Sequence, residues 1–225
     1  MRHTTSHGLL LHLLLACLAS GAVLRAQAPV QADPGRPLSL GVVIDVRQQQ
    51  REVIAFERQV VDALGSMLAA ETTTGFVVSY SDRVQVVEDW SPTAGLKDAA
   101  LRLTVDGEDG RRGAALNDAL LNGLARLGSV GHEGRKVLVV IGEGNDGDSS
   151  TTFGDVLSAA KAGHVQCFAL LVANHRSQVG RVRQYGFDLY RLASATHGKA
   201  YDVRTDPGLL DAALRDLLAR LATNY

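Results

Sequence analysis

The stretch that decides the fold is LSLGVVID, residues 38–45, an apolar run that ends on a carboxylate. It is rich in β-branched residues and too short for a typical helix. It also lacks alternation of polar and apolar residues, as is usual for a strand buried on both faces of a parallel sheet. In open α/β sheets, ligands bind beyond the carboxyl ends of such strands. Asp45 therefore marks the edge at which we expect a functional site.

A second stretch, KVLVVI at residues 136–141, repeats this plan. It continues into GEGND, residues 142–146, and so places Glu143 and Asp146 directly after a strand. Because the carboxyl ends of parallel strands meet at one edge of a sheet, these acids should lie near Asp45. The sequence thus predicts two buried strands that bring carboxylates together.

The rest of the chain alternates between helix and strand patterns. Two strands, residues 76–80 and 83–89, are joined by a two-residue turn, which predicts an antiparallel hairpin whose second strand lies at the edge of the sheet. The spacing of apolar residues predicts further strands over residues 165–172 and 200–203, and helices over residues 48–70, 91–103, 114–127, 151–162, 189–196 and after Pro207. This order predicts a Rossmann-like, doubly wound α/β fold. It has a mostly parallel six-stranded sheet, one antiparallel edge strand and helices on both faces.

Length and composition are those of one globular domain. The chain has 225 residues, of which 46% are hydrophobic and 21% are charged. A formal net charge of -1 gives no electrostatic argument for binding to nucleic acid or to an anionic membrane. The two cysteines, Cys17 and Cys167, form no metal-binding or thiol-catalysis pattern, and Cys167 lies in an apolar run where it is expected to be buried.

The N-terminal segment has the pattern of a secretory signal peptide. Arg2 precedes a long apolar stretch, which ends in a small-x-small pattern at residues 26–28. We expect a signal peptide over residues 1–26, with cleavage after residue 28 as the alternative, a linker over residues 27–36 and one domain over residues 37–225. The mature chain is expected to have no membrane span. Lipid attachment at Cys17 is a further alternative, although the residue two before it is not small.

Several motifs resemble the von Willebrand factor type A (vWA) domain, specifically its bacterial secreted VWFA-related group. They are the strand ending at Asp45, the hairpin, GAALNDAL at 113–120, VVIGEGND at 139–146 and LASATHGKAY at 192–201. The resemblance covers residues 37–225. It implies the vWA fold and a role in binding other proteins.

The resemblance also implies where a metal ion would bind. The family's metal-ion-dependent adhesion site uses an Asp-x-Ser-x-Ser turn, a threonine and a second aspartate, which are oxygen ligands that suit Mg²⁺. In this chain the matching positions hold Asp45, Arg47, Gln49, Ala114 and Glu143, and only the first keeps the family's residue. We therefore expect a degenerate site with no metal and no other cofactor. If a metal does bind, Asp45 and Glu143 are its expected ligands and Mg²⁺ is the expected ion.

Arg47 suggests what replaces the metal. Asp45 and Glu143 should still converge, and two uncompensated carboxylates would repel each other. We hypothesise that the Arg47 guanidinium takes the place of the cation and forms charge-assisted hydrogen bonds to Asp45, Glu143 or both. In the alternative, Arg47 points into solvent.

The serines and histidines show no nucleophile elbow and no paired spacing, so we expect no enzyme activity. The favoured function is an exported module, periplasmic or secreted, that binds a protein partner without a metal and does not bind nucleic acid. The alternatives are a Mg²⁺-dependent adhesion domain with a degenerate site and a hydrolase. The residues expected to line the protein-binding face, at the carboxyl edge of the sheet, are Asp45, Arg47, Gln49, Ala114, Glu143 and Asp146.

Overall fold

A computed structural model of the protein describes residues 37–68, 72–106, 113–131, 134–172 and 186–222. The predicted signal peptide and linker lie outside these ranges, so their boundaries stay predictions.

A six-stranded sheet forms the centre of the described part of the chain. Its strands are β1 (Leu38–Asp45), β2 (Thr73–Tyr80), β3 (Val84–Pro92), β4 (Arg135–Gly142), β5 (Gln166–Leu171) and β6 (Ala200–Asp202). They follow one another in the spatial order β3-β2-β1-β4-β5-β6. β3 pairs antiparallel with β2, and the other pairs are parallel. The predicted six-stranded sheet with one antiparallel edge strand is therefore confirmed.

Helices cover both faces of the sheet, as predicted. On one face lie α1 (Ile54–Met67), α2 (Thr93–Arg102) and α6 (Pro207–Ala222). On the other lie α3 (Leu116–Gly128), α4 (Phe153–Ala162) and α5 (Phe187–Ala195). None of the described helices is both long enough and apolar enough to cross a membrane.

The position of β1 in the sheet explains why its sequence does not alternate between polar and apolar residues. It lies between β2 and β4, and all of its residues are buried. Leu40, Val42 and Ile44 pack into the core beneath α1, whereas Val43 packs into the core beneath α3. Because both faces are covered by helices, every position of the strand favours an apolar side chain.

The start of α4 shows how the sequence sets a helix end. The Thr152 hydroxyl accepts from the Asp155 N–H at 3.2 Å, and the Asp155 carboxylate accepts from the Thr152 N–H at 3.1 Å. This reciprocal pair is a capping box, which satisfies two N–H groups at the helix N-terminus. Thr152 is therefore the N-cap of α4.

Two details differ from the sequence-based expectation. The helix predicted from residue 48 begins later, because Gln48–Gln50 form a short 3-10 helix and α1 starts only at Ile54. The Gln50 side chain is bound to Asp45 at 3.3 Å, which holds this turn against the strand end. β3 extends to Pro92, past its predicted end at residue 89, and two register shifts interrupt its pairing with β2. Val86 in this strand is 44% exposed.

The chain reverses its direction across the sheet between β1 and β4. From β1 it proceeds outward to β2 and β3, and then returns to the other side of β1 to form β4. At such a switch point the loops after the two strands diverge and leave a crevice where ligands bind in this fold class. Asp45 ends β1 and Glu143 follows β4, so both residues flank the crevice.

Val139→Asp tests the central position of β4. Val139 is fully buried, and we expect this change to lower the free energy of unfolding by about 4 kcal/mol or more, because an unpaired carboxylate would lie in the core. The matched change Val86→Asp, on the exposed edge, should cost about 1 kcal/mol or less. Urea unfolding measures both. Equal midpoints for the two variants would contradict the buried position of β4.

Candidate functional site

Arg47 turns its guanidinium back onto Asp45. The Arg47 Nη2 lies 2.6 Å from Oδ2 of Asp45, and Nε lies 2.9 Å from Oδ1. The Arg47 backbone N–H donates to the same carboxylate at 3.1 Å. The side chains of Arg47 and Asp45 are 3% and 0% exposed. The hypothesised guanidinium–carboxylate pair is confirmed, and the alternative of a solvent-facing arginine is wrong.

Glu143 is the second carboxylate beside Arg47. Its Oε2 lies 3.6 Å from Nη2 of Arg47, and its side chain is 13% exposed. Burial alone would lower the pKa of Arg47, but the charge and hydrogen bonds of Asp45 outweigh it and raise the pKa, with smaller contributions from Tyr80 and Glu143. The guanidinium therefore stays cationic and separates two carboxylates that would otherwise repel each other.

Gly142 allows the end of β4 to approach Asp45 closely. Its φ of +145° is a conformation that residues with a side chain rarely adopt, and a Cβ placed there would lie only 2.5 Å from the Cβ of Asp45. The next residue is Glu143. The glycine thus permits the approach that brings the second carboxylate to the Asp45–Arg47 pair.

The segment after α2 covers Arg47. The Asp106 N–H donates to the Val46 carbonyl at 2.7 Å, and residues 106 and 47 form a parallel β-bridge. The Asp106 carboxylate accepts from Ser81 Oγ at 3.0 Å and from Arg83 Nη2 at 3.2 Å. This cover explains why Arg47 is almost fully buried although it lies at the edge of the sheet.

Ala114 and Asp146 join two loops at the same edge. Ala114 is fully buried, and its carbonyl accepts from the N–H groups of Gly147 and Asp148, each at 3.0 Å. The exposed Asp146 accepts from the N–H of Asn117 at 3.1 Å and from its Nδ2 at 2.9 Å. Asp146 therefore caps the N-terminus of α3 from a neighbouring loop.

Of the six residues predicted to line a protein-binding face, three are buried and three reach the surface at least partly. Asp45, Arg47 and Ala114 are buried, Gln49 and Glu143 are half-buried, and Asp146 is exposed. The structure brings Asp45, Arg47 and Glu143 together, whereas Ala114 and Asp146 belong to the adjoining loops. Their role in binding a protein stays a prediction.

Sequence reasoning missed three polar residues of this site. Gln50 Nε2 donates to Asp45 at 3.3 Å. Tyr80 lies opposite Asp45 in the β1–β2 ladder, and its buried hydroxyl has no hydrogen-bond partner in the described part of the chain. Burial, and then the charge of Asp45, raise the pKa of Tyr80 well above its usual range.

Glu57 is the third missed residue, and the sequence does contain a signal for it. It lies on the buried face of α1, four residues after Val53 and three before Val60, where an apolar residue is expected. An acid at such a position is either paired or kept neutral.

The donor set at this edge does not fit a magnesium ion. Mg²⁺ requires oxygen ligands in a nearly octahedral arrangement. Both carboxylate oxygens of Asp45 accept from Arg47, and position 114 supplies a methyl group in place of a hydroxyl. Within the described ranges, no group of three or more His, Cys, Asp or Glu side chains is placed to hold a metal ion. That no metal ion binds here stays a prediction.

Solved structures of several bacterial proteins share this architecture. The conserved hypothetical protein BatB from Bacteroides thetaiotaomicron is similar with a TM-score of 0.64 and 12% identity, over 83% of this chain and 100% of that chain. A von Willebrand factor type A protein from Catenulispora acidiphila gives a TM-score of 0.58 and 18% identity, over 83% of this chain and 43% of that chain. This chain has the von Willebrand factor type A fold.

A third structural neighbour is part of a larger protein. The pilus adhesin SpaC from Lactobacillus rhamnosus GG gives a TM-score of 0.63 and 11% identity, over 85% of this chain and 31% of that chain. This chain thus corresponds to less than half of the Catenulispora protein and less than a third of SpaC. No protein-family profile and no curated protein matches the sequence. At such low identities the neighbours establish the fold.

Arg47→Ala tests the buried pair. It leaves Asp45 buried without its cation, so we expect the free energy of unfolding to fall by about 3–5 kcal/mol. Arg83→Ala is the matched control, because Arg83 also pairs with a carboxylate, that of Asp106 at 3.2 Å, but its side chain is 65% exposed. Its removal should cost about 1 kcal/mol or less.

Urea unfolding of both arginine variants measures these losses. Adding Asp45→Asn to Arg47→Ala should recover part of the loss, because no charge is then left unpaired. Equal, small losses for the two single variants would contradict the burial of the Asp45–Arg47 pair.

Proposed function

We propose that this chain is a non-catalytic, exported module that binds another protein through the loops at the carboxyl edge of its sheet, without a metal ion. One observation carries the proposal. The Arg47 guanidinium lies on Asp45, the residue that matches the first aspartate of the family's metal site.

The position of this charge decides the mode of recognition. In a metal-dependent adhesion site the cation keeps a coordination position for a carboxylate of the partner. In this chain the positive charge belongs to a side chain that is 3% exposed and already bound to Asp45. It offers no coordination position, so recognition must come from the shape and charge of the surrounding loops.

The loops around the centre are well suited to such recognition because hydrogen bonds hold them in place. The Asp118 carboxylate accepts from the N–H groups of Ser150 at 3.1 Å and Thr151 at 2.8 Å. The Ser81 carbonyl accepts from the Ala115 N–H at 2.8 Å. Loops that are ordered before binding lose less conformational entropy on association.

The six predicted face residues then divide into two roles. Gln49, Glu143 and Asp146 reach the surface and are proposed to touch the partner. Asp45, Arg47 and Ala114 are buried and are proposed to support those loops from beneath. Export is supported by the signal-peptide pattern at the N-terminus and by the occurrence of this fold in a pilus adhesin.

Calorimetry with Mg²⁺ tests metal independence. Millimolar Mg²⁺ is expected to give no binding heat and no rise in melting temperature with the unmodified protein. A variant with the family's ligands restored (Arg47→Ser, Gln49→Ser, Ala114→Thr and Glu143→Asp) should gain both, and Asp45→Asn in that background should abolish them. Saturable Mg²⁺ binding by the unmodified protein that Asp45→Asn removes would refute metal independence.

Charge reversal on the loops tests the binding face. Asp148→Lys changes an exposed residue at the carboxyl edge, whereas Lys161→Glu, the control, changes an exposed residue in the last turn of α4 at the opposite edge. Proteins from the native envelope fraction that bind the unmodified chain should be retained on the order of tenfold less by Asp148→Lys and unchanged by Lys161→Glu. The reverse result would place the binding face at the other edge.

A further inference from the structure

Glu57 is a carboxyl group buried beside the charged pair at the sheet edge. Its side chain is 0% exposed, and neither carboxyl oxygen has a hydrogen-bond partner among the described residues. An ionised carboxylate in such a place loses its hydration and gains no hydrogen bond in return. Binding a proton removes the charge and most of this cost.

The charges around Glu57 act in the same direction. Burial first, and then the negative charges of Asp45 and Glu143, raise the pKa of Glu57 well above its usual range, while Arg47 opposes them. Arg47 is already engaged with Asp45 and Glu143, so it cannot also neutralise Glu57 in this geometry.

These groups come from every strand end near the site. Asp45 ends β1, Arg47 follows it, and Glu143 follows β4. The charge of Glu57 in turn helps to raise the pKa of Tyr80, at the end of β2. The neighbours of α1 on its own face, α2 and α6, contribute none of the charges that act on Glu57 in the described part of the chain. The balance of charge at Glu57 is therefore set by the sheet edge alone.

We propose that Glu57 is a proton-operated switch: the fold keeps this carboxyl neutral, and its ionisation moves the first turn of α1 away from the Asp45–Arg47 pair. Glu57 lies in that first turn, and the turn begins at Val53 without a side-chain cap. A few residues at an uncapped helix start can separate without unfolding the rest of the helix. When Glu57 ionises, separation of this first turn removes the charge from its buried position. The separation alters the edge of the sheet.

The sign of the pH effect follows from the proton balance. A glutamate in the unfolded chain ionises near pH 4.5, whereas folded Glu57 ionises at higher pH. Below pH 4.5 the contribution of the neutral carboxyl to stability is complete. Above it the unfolded chain releases the proton and the folded chain keeps it, so the equilibrium constant for unfolding rises by up to about tenfold per pH unit until folded Glu57 ionises.

Carboxyl NMR of the unmodified protein, labelled at glutamate, tests the proton. The Glu57 resonance is expected to titrate at a higher pH than the resonances of ordinary, solvent-exposed glutamates, because its pKa is raised. Amide hydrogen exchange of residues 54–57, corrected for intrinsic rates, is expected to accelerate over the same pH range in which this resonance titrates. A Glu57 resonance that titrates at the pH of an ordinary glutamate would overturn the proposal. So would amide exchange rates of residues 54–57 that do not change over the pH range in which Glu57 titrates.

Two variants test whether the pH dependence of unfolding and of amide exchange comes from Glu57. Glu57→Gln keeps the shape but cannot ionise, so it should remove the rise in the unfolding constant and make exchange in the first turn of α1 independent of pH. Asp62→Asn, which removes an exposed carboxylate from the same helix, should keep the unmodified pH profile. A Glu57→Gln protein with the unmodified profile would refute the switch, and if this variant does not fold, the NMR titration of the unmodified chain decides.

Discussion

The arrangement at the carboxyl edge depends on one buried ion pair. Removing a carboxylate and a guanidinium from water costs several kcal/mol for each charge. Asp45 and Arg47 offset this cost because two N–H groups of the guanidinium meet the carboxylate at 2.6 and 2.9 Å. The pair is also local, since its members are two residues apart and the turn between them donates a backbone N–H to the same carboxylate.

This pair changes what a vWA fold can present to its surroundings. The positive charge lies inside, covered by Asp106, and the polar groups at the surface are those of the adjoining loops. The fold also leaves Glu57 and the Tyr80 hydroxyl buried without partners in the described ranges. Unpaired polar groups of this kind lower stability, and they are concentrated where a protein has a function rather than where it has only a core.

Much of this architecture could be predicted from the order of residues. One apolar run ends at Asp45, and a second is followed by Gly142-Glu143. Their apolar residues do not repeat with the spacing of a surface helix or of a half-exposed strand, which indicates buried strands. Parallel strands then bring their carboxyl ends to one edge, which placed Asp45 and Glu143 together. The pairing of Arg47 with Asp45 was a hypothesis drawn from the family resemblance, with a solvent-facing side chain as the alternative, and the structure decided between the two.

The sequence by itself therefore determined the strands of the sheet and the edge at which Asp45 and Glu143 lie together. Only the tertiary structure decided that Glu57 and Tyr80 lie within electrostatic range of the Asp45–Arg47 pair, that Asp106 covers it, and that Ala114 is buried while Asp146 caps α3. The physical reason is the range of the interactions. The spacing of apolar residues and short-range charge contacts depend on residues that are close in the sequence. The approach of groups from α1, β2 and distant loops depends on how whole elements pack.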